Sequence, residues 1–276
     1  MKEKILKRSR CAHLHRRRRD AGSSFPSLTT RSRQKLSPFK QEMIRLYGIH
    51  SVYAALKNPK RIFDCIYITP NALKRLNMPE SDFPCPVALC SPKQLDMLVG
   101  NDAVHQGVVA ETKPLEPCQL SELANTDLII VMDQITDPHN VGAIMRSAVA
   151  FNAGALVTTH RHSPQESGVL AKAASGALEL IDYITVRNLA SALEELHKAD
   201  FISFGLDSEG DLPLEITLTG QKIALVLGAE GRGLRKKTRE TVHTLARLDM
   251  PGSIKSLNVS NAATVALYAA HKYLRP

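Results

Sequence analysis

The sequence predicts an α/β fold in which a mostly parallel sheet is covered by helices on both faces. From Leu128 to the C-terminus, short apolar runs alternate regularly with helical patterns. These runs are continuously apolar, as expected for strands of a parallel sheet that are buried on both faces. Residues 44–113 show a shorter alternation, which predicts a separate, smaller α/β domain.

In the smaller domain, helices are predicted at 51–56 and 92–98 and strands at 62–68 and 86–90. Prolines and polar side chains favour a linker over residues 114–127.

In the larger domain, residues 128–276, strands and helices alternate. Strands are predicted at 128–132, 156–159, 180–186, 201–206, 223–227 and 246–250. Helices are predicted at 141–152, 169–177, 189–198, 236–243 and 256–273. Parallel sheets bind ligands where loops leave the carboxyl ends of strands, so the residues after each strand are the candidates for function.

The positive charge of the chain is concentrated at its start. The 276 residues carry a net charge of +9, yet residues 1–40 alone hold thirteen Lys or Arg and two acidic residues, a net of +11. Residues 41–276 therefore have a net charge of −2. The composition predicts that a basic head, residues 1–42, is disordered until it binds a partner. The charge of the whole chain gives no information about what the folded part binds.

Several classes of protein are excluded. The five cysteines are an odd number without a C-x-x-C pair, which favours neither a disulfide framework nor a zinc site, and no metal is expected. No apolar run approaches the roughly 18 residues of a membrane span. The Arg-rich head overlaps in composition with organelle transit peptides, but it has no apolar helical face or signal-peptide core. A cytoplasmic location, away from membranes, is predicted.

The first loop, residues 133–142, has the sequence DQITDPHNVG and leads into a helix. Either Asp137 or Asn140 can cap that helix, and taken alone a capped loop is the simpler interpretation. Arg146 lies about a turn and a half into the helix. Its guanidinium is suited to a phosphate beside the loop, or to an ordinary surface ion pair.

The second loop, residues 225–234, has the sequence LVLGAEGRGL, with three glycines in six residues after an apolar strand. Glycines there allow a sharp turn and close approach to a ligand. Their spacing is neither G-x-G-x-x-G nor G-x-x-x-x-G-K-[ST], which disfavours the usual dinucleotide and triphosphate sites. A carboxylate among these glycines, Glu230, favours a functional loop over a plain turn.

The third loop, residues 248–263, runs from a strand end into an alanine-rich helix. Ser256 and Asn258 are placed to cap that helix, but four hydroxyl or amide side chains in six positions exceed what capping requires. The alanines that follow permit close helix packing, in a core or a dimer interface.

Together and in order, DPHNVGAIMRSA, LVLGAEGRGL and MPGSIKSLNVSNAATVALY closely resemble the three motifs of the SPOUT superfamily of RNA methyltransferases, in its SpoU/TrmH branch of ribose 2′-O-methyltransferases. Upstream, YGIHSV and VHQGVVA resemble the bounding segments of that family's ribosomal-protein L30e-like RNA-binding domain. The resemblance covers about residues 44–276 and does not include the basic head.

The resemblance implies an α/β sheet with a C-terminal trefoil knot, S-adenosylmethionine bound in a bent pose, and a homodimer with sites at the subunit interface. Gly228, Leu248 and Leu257 would form the cofactor pocket. Backbone groups near Met250 and Gly252 would hold the adenine. One departure is Asp249, which stands where relatives usually have Pro.

The catalytic group implied by the resemblance is Asn140, Arg146, Glu230, Ser256 and Asn258. Because guanidinium stays protonated in proteins, we expect Arg146 to bind the target phosphate and stabilise the developing alkoxide, rather than to act as the base. The proton would leave to phosphate or water.

The predicted function is therefore S-adenosylmethionine-dependent RNA 2′-O-ribose methylation, with a guanosine of 23S rRNA as the target. A tRNA ribose methyltransferase is the close alternative, and an inactive RNA-binding ribosome-assembly protein is another. The missing glycine fingerprint excludes a nucleotide-dependent oxidoreductase. The basic head is expected to add salt-sensitive, sequence-independent affinity for RNA.

Overall fold

The computed structural model describes residues 43–123 and 126–276, which form two β-sheets with flanking helices. The predictions made for the basic head fall outside these residues. Within the described ranges, no helix has both the length and the apolar character needed to cross a bilayer.

The N-terminal sheet has the strand order β1-β4-β2-β3 and is mixed. Its central strand β4 pairs antiparallel with β1 and β2, whereas β2 and β3 are parallel. The strands are β1 (Ile44–Tyr47), β2 (Phe63–Ile68), β3 (Val87–Leu89) and β4 (Val108–Thr112). The helices are α1 (Ile49–Lys57), α2 (Pro70–Leu76) and α3 (Pro92–Val99). The four predicted elements of this region are confirmed; β1, β4 and α2 were not predicted.

The second sheet has seven strands in the order β7-β6-β5-β10-β8-β11-β9, and every pairing recorded in it is parallel. Its strands are β5 (Leu128–Asp133), β6 (Ala155–Thr159), β7 (Asp182–Val186), β8 (Ile202–Leu206), β9 (Leu212–Pro213), β10 (Ile223–Gly228) and β11 (Thr244–Arg247). Its helices are α4 (Pro138–Ala150), α5 (Gly168–Ala174), α6 (Leu189–Lys198), α7 (Leu214–Thr217), α8 (Lys236–Thr241) and α9 (Val259–Leu274). The predicted α/β fold class is confirmed.

Strand β5 explains why the apolar runs are continuous. Its six residues are fully buried, and their side chains alternate between two clusters. Leu128, Ile130 and Met132 share one cluster with residues of α4, α5 and α9, while Ile129 and Val131 share the other with residues of α6. Because both faces are covered, no position in the strand favours a polar residue except its last.

Two predicted strands have different boundaries in the structure. The strand predicted at 180–186 begins at Asp182, because Ala177–Glu179 form a 3₁₀ turn before it. The strand predicted at 246–250 ends at Arg247, so the predicted cofactor residues Leu248 and Met250 lie in the loop after β11.

A buried arginine connects the two sheets. Arg61, between α1 and β2, exposes none of its side chain. Its Nε donates to both carboxylate oxygens of Glu179 at 2.9 and 3.0 Å, and it also pairs with Glu166. Desolvation by burial lowers the pKa of Arg61, but the two carboxylates outweigh it and hold the pKa above its usual range. Arg61 is therefore charged, and one guanidinium neutralises half of the buried acidic charge.

A buried serine lies between two histidines on the other face of the large sheet. Ser203 Oγ, on β8, lies 2.8 Å from His197 Nε2 and 3.1 Å from His243 Nδ1. Nδ1 of His243 also accepts the backbone N–H of Ser203 at 3.1 Å. Desolvation, followed by the nearby His243, lowers the pKa of His197 below its ordinary 6.5.

This lowered pKa predicts a loss of stability in acid. The unfolded chain takes up the His197 proton first, so the stabilisation is present above pH 6.5 and is lost as pH falls through the folded-state pKa. We expect His197→Asn, which keeps a polar partner for Ser203, to be less acid-sensitive than the wild type. Thermal unfolding followed by circular dichroism at pH 7.5 and pH 5.5 measures this. If the unfolding temperatures of the wild type and the variant differed by the same amount at both pH values, the prediction would be contradicted.

Candidate active site

Three loops converge at the carboxyl edge of the parallel sheet. The first loop follows β5 and the second follows β10, and these strands are neighbours with Gly228 in register with Asp133. The third loop follows β11 and enters α9, which packs against α4 and β10. Loops that are far apart in the sequence therefore meet above β5 and β10.

One carboxylate oxygen joins the three loops. Glu230 Oε1 accepts hydrogen bonds from Asn258 Nδ2 at 2.8 Å, from the backbone N–H of Val259 at 3.2 Å and from Asn140 Nδ2 at 3.4 Å. Asn258 Nδ2 also donates to Asn140 Oδ1 at 3.1 Å. The structure thus brings together three predicted site residues, here called the Glu230 cluster: Asn140, Glu230 and Asn258.

The helix caps leave these side chains available. Asp137 caps α4, because its carboxylate accepts the backbone N–H of His139 at 2.9 Å. Asn140 is therefore not needed as the cap and is available to Glu230. Asn258 caps α9 with its Oδ1, which accepts from Ser260 N at 2.9 Å, while its Nδ2 donates to Glu230 and Asn140.

Arg146 and Ser256 are not hydrogen-bonded to the Glu230 cluster. Arg146 lies six residues after Asn140 on α4, about 9 Å further along the helix axis. Its side chain is exposed and forms no hydrogen bond or ion pair with any described residue. Ser256 was predicted to lie on the last helix, and that prediction is wrong. The helix begins at Val259, whose N–H is held by Glu230, and Ser256 lies in the exposed segment before it.

A cavity of about 310 Å³ lies beside Glu230. Four of the five predicted cofactor residues line it, and so does Ser256; Gly252 does not. The four are Gly228, Leu248, Met250 and Leu257. A larger cavity of about 610 Å³ lies near β7 and the linker, and no predicted site residue lines it.

The glycines of the second loop shape one wall of this cavity. Ala229 and Gly233 form an antiparallel bridge, with Gly233 N–H donating to Ala229 O at 2.9 Å, so residues 228–233 form a tight glycine hairpin. A Cβ on Gly228 would lie 2.2 Å from the carbonyl carbon of Gly233, so only glycine lets the hairpin fold back on the strand end. Gly231 and Gly233 have φ angles of 74° and 63°, which glycine adopts without strain.

Sequence reasoning missed one loop of the site. Leu206, Asp207 and Ser208, at the carboxyl end of β8, also line the cavity. The Asp207 carboxylate pairs with Arg239. The position of Leu206, Asp207 and Ser208 at the carboxyl end of β8 is the sequence signal that could have identified this loop. This loop lacks the high density of glycine or polar residues by which the other three loops were recognised.

The fold is that of the SpoU methyltransferases. The crystal structure of the SpoU methyltransferase AviRb from Streptomyces viridochromogenes, in complex with AdoMet, superposes with a TM-score of 0.72 over 84% of this chain and 90% of that chain, at 21% identity. An rRNA methyltransferase from Sinorhizobium meliloti also gives a TM-score of 0.72, over 86% and 90% of the two chains, at 19% identity.

The chain belongs to the SpoU rRNA methylase family, which matches residues 127–268. Residues 45–118 match a second family, RNA 2′-O ribose methyltransferase substrate binding. The 23S rRNA (guanosine-2′-O-)-methyltransferase RlmB of Ralstonia nicotianae is 38% identical over 82% of this chain and 94% of its own. RlmB of Escherichia coli is 34% identical over 82% and 96%. The resemblance found in the sequence is confirmed.

Proposed function

We propose that this protein is an S-adenosylmethionine-dependent RNA 2′-O-ribose methyltransferase that acts on a guanosine of 23S rRNA. The observation that carries this proposal is the Glu230 cluster beside the glycine-walled cavity. It occurs in a chain whose relatives bear the name 23S rRNA guanosine-2′-O-methyltransferase over nearly their full length.

The residues around the cavity fit S-adenosylmethionine. Leu248 and Leu257 offer apolar walls, Gly228 allows close approach, and the Glu230 carboxylate is complementary to a sulfonium charge. Backbone groups near Met250 and Gly252 would hold the adenine. The bound cofactor supplies an activated methyl group, so the protein has to position the ribose hydroxyl rather than create a strong nucleophile.

We assign positioning to the Glu230 cluster and charge stabilisation to Arg146. Glu230, which lines the cavity, holds the amides of Asn140 and Asn258 by hydrogen bonds. Arg146, with no partner among the described residues, binds the target phosphate and stabilises the developing alkoxide. Ser256, which lines the cavity, is placed to contact substrate or cofactor.

We further propose a homodimer, because apolar side chains around the third loop and α9 are exposed. Ile254 is 73% exposed, Val265 42% and Tyr268 55%. Exposed apolar side chains of this kind occur at protein interfaces. The active site of a partner protomer on this face would then lie near the exposed Arg146.

The remaining assignments rest on the family. We assign residues 44–113 to RNA substrate binding, 114–127 to a linker and 128–276 to the methyltransferase domain. The proposal includes a trefoil knot in the C-terminal part and a cytoplasmic location, where ribosomal RNA is found.

Methyl transfer from labelled S-adenosylmethionine to 23S rRNA and to tRNA transcripts tests the function. We expect a single 2′-O-methylguanosine in 23S rRNA, and no transfer by a Glu230→Ala control. Transfer to tRNA alone would overturn the substrate assignment. RNA binding without S-adenosylmethionine binding would favour an inactive assembly protein. Light scattering of the same preparation measures the oligomeric state.

A further inference from the structure

Four cations lie within six residues, in and directly after the glycine hairpin. Arg232, Arg235, Lys236 and Lys237 are all exposed, in a part of the chain whose net charge is −2. The hairpin also carries Glu230, so this basic segment, residues 232–237, lies at the same edge of the sheet as the Glu230 cluster. Local positive charge at an RNA-modifying site is suited to phosphates.

Arg235 differs from the other three because a buried carboxylate holds it. Asp133 is the last residue of β5, and its side chain is fully buried. Its Oδ2 accepts the backbone N–H of Arg235 at 3.0 Å, and its Oδ1 accepts Nε of Arg235 at 2.6 Å. The first loop is thus joined to the residue directly after the second loop by a contact separate from the Glu230 cluster.

The outer edge of the Arg235 guanidinium is available. Its side chain is 44% exposed, and its Nη1 and Nη2 donate to no acceptor within the described residues. Arg239, one turn later, provides the contrast, because its Nη atoms pair with Asp207 and Glu209. A guanidinium anchored through Nε still presents two Nη groups, the fork that binds phosphate oxygens. The anchoring also lowers the conformational entropy lost on binding.

We propose that Arg235, oriented by Asp133, binds a backbone phosphate of the RNA substrate close to the methylated nucleotide. This inference rests on the proposed function. The carboxylate of S-adenosylmethionine is the other anion at this site. RNA phosphate is favoured because Arg235 does not line the cavity and faces solvent.

Three variants test this role. Arg235→Ala removes both the fork and the partner of Asp133. Arg235→Lys keeps a cation for Asp133, but a single ammonium paired with Asp133 leaves no fork for phosphate. Lys198→Ala is the matched control, because Lys198 is exposed at the end of α6, near the amino edge of the sheet.

We expect both Arg235 variants to bind a 23S rRNA fragment about tenfold more weakly than the wild type, with unchanged affinity for S-adenosylmethionine. The magnitude of the slope of log affinity against log salt concentration should fall by about one, as expected for the loss of one phosphate contact. Lys198→Ala should bind as the wild type does. Fluorescence anisotropy across a KCl series and calorimetry with S-adenosylmethionine measure these quantities.

Two outcomes would overturn the proposal. Wild-type RNA affinity and salt slope in Arg235→Lys would show that Arg235 only neutralises Asp133. A selective loss of S-adenosylmethionine affinity in that variant would assign Arg235 to the cofactor. If Arg235→Ala does not fold, the RNA-binding measurements on Arg235→Lys test the proposal. Failure of the proposed function is distinguishable, because it appears as absent methyl transfer by the wild type, whereas RNA binding still tests Arg235.

Discussion

Replacing Arg146 with Lys is expected to lower kcat for RNA methylation by about 100-fold, the effect of removing one group that stabilises developing negative charge. Lys keeps the positive charge but cannot contact phosphate and alkoxide together through a planar fork. Because Arg146 makes no hydrogen bond or ion pair with a described residue, the change should leave the fold intact. Single-turnover methylation at saturating RNA and S-adenosylmethionine measures the effect.

Arg275→Lys is the matched control. Arg275 is also a partly exposed arginine, and it pairs with Asp127 at 3.0 Å, a surface ion pair of small energetic value. It follows α9 at the end remote from the third loop, so its replacement should leave kcat unchanged. Near-normal turnover and RNA affinity in Arg146→Lys would show that the forked contact is not required.

The large sheet could be predicted from the sequence because its physical cause is local. Burial of both faces makes β5 and β10 continuous apolar runs, and such runs are visible without knowledge of their neighbours. In the N-terminal sheet, β1 and β4 were missed. They are short strands whose pairing joins residues 44–47 to 109–112, and a long-range pairing has no signature in a single sequence.

The site was predicted in its residues but not in its contacts. Motif resemblance identified Asn140, Glu230 and Asn258, but the hydrogen bonds between them join positions 90 and 118 residues apart. Asp133 was predicted at the start of the first loop, whereas in the structure it is the fully buried last residue of β5. Its pairing with Arg235 depends on how the glycine hairpin folds back, which the sequence alone did not show.

Replacing Arg61 with Ala is expected to lower the free energy of unfolding by about 3–5 kcal/mol, because two buried carboxylates would lose their shared counter-charge. Glu179 and Glu166 are 3% and 13% exposed, so water can replace little of the lost solvation. Their other recorded hydrogen bonds come from Asn58 Nδ2 at 2.7 Å and the Leu115 N–H at 2.9 Å, which remain but carry no full charge. Thermal unfolding by circular dichroism should show a fall on the order of 10 °C.

The control for Arg61 is Arg45→Ala, which breaks the more exposed Arg45–Glu111 pair at 3.3 Å and should cost about 1 kcal/mol or less. If unpaired buried charge causes the loss of stability, adding Glu179→Gln to Arg61→Ala should recover part of that stability, although the double variant has fewer polar contacts. Equal destabilisation by Arg61→Ala and Arg45→Ala, or a further loss in the double variant, would show that packing and hydrogen bonds, rather than buried charge, make Arg61 necessary to the contact between the two sheets.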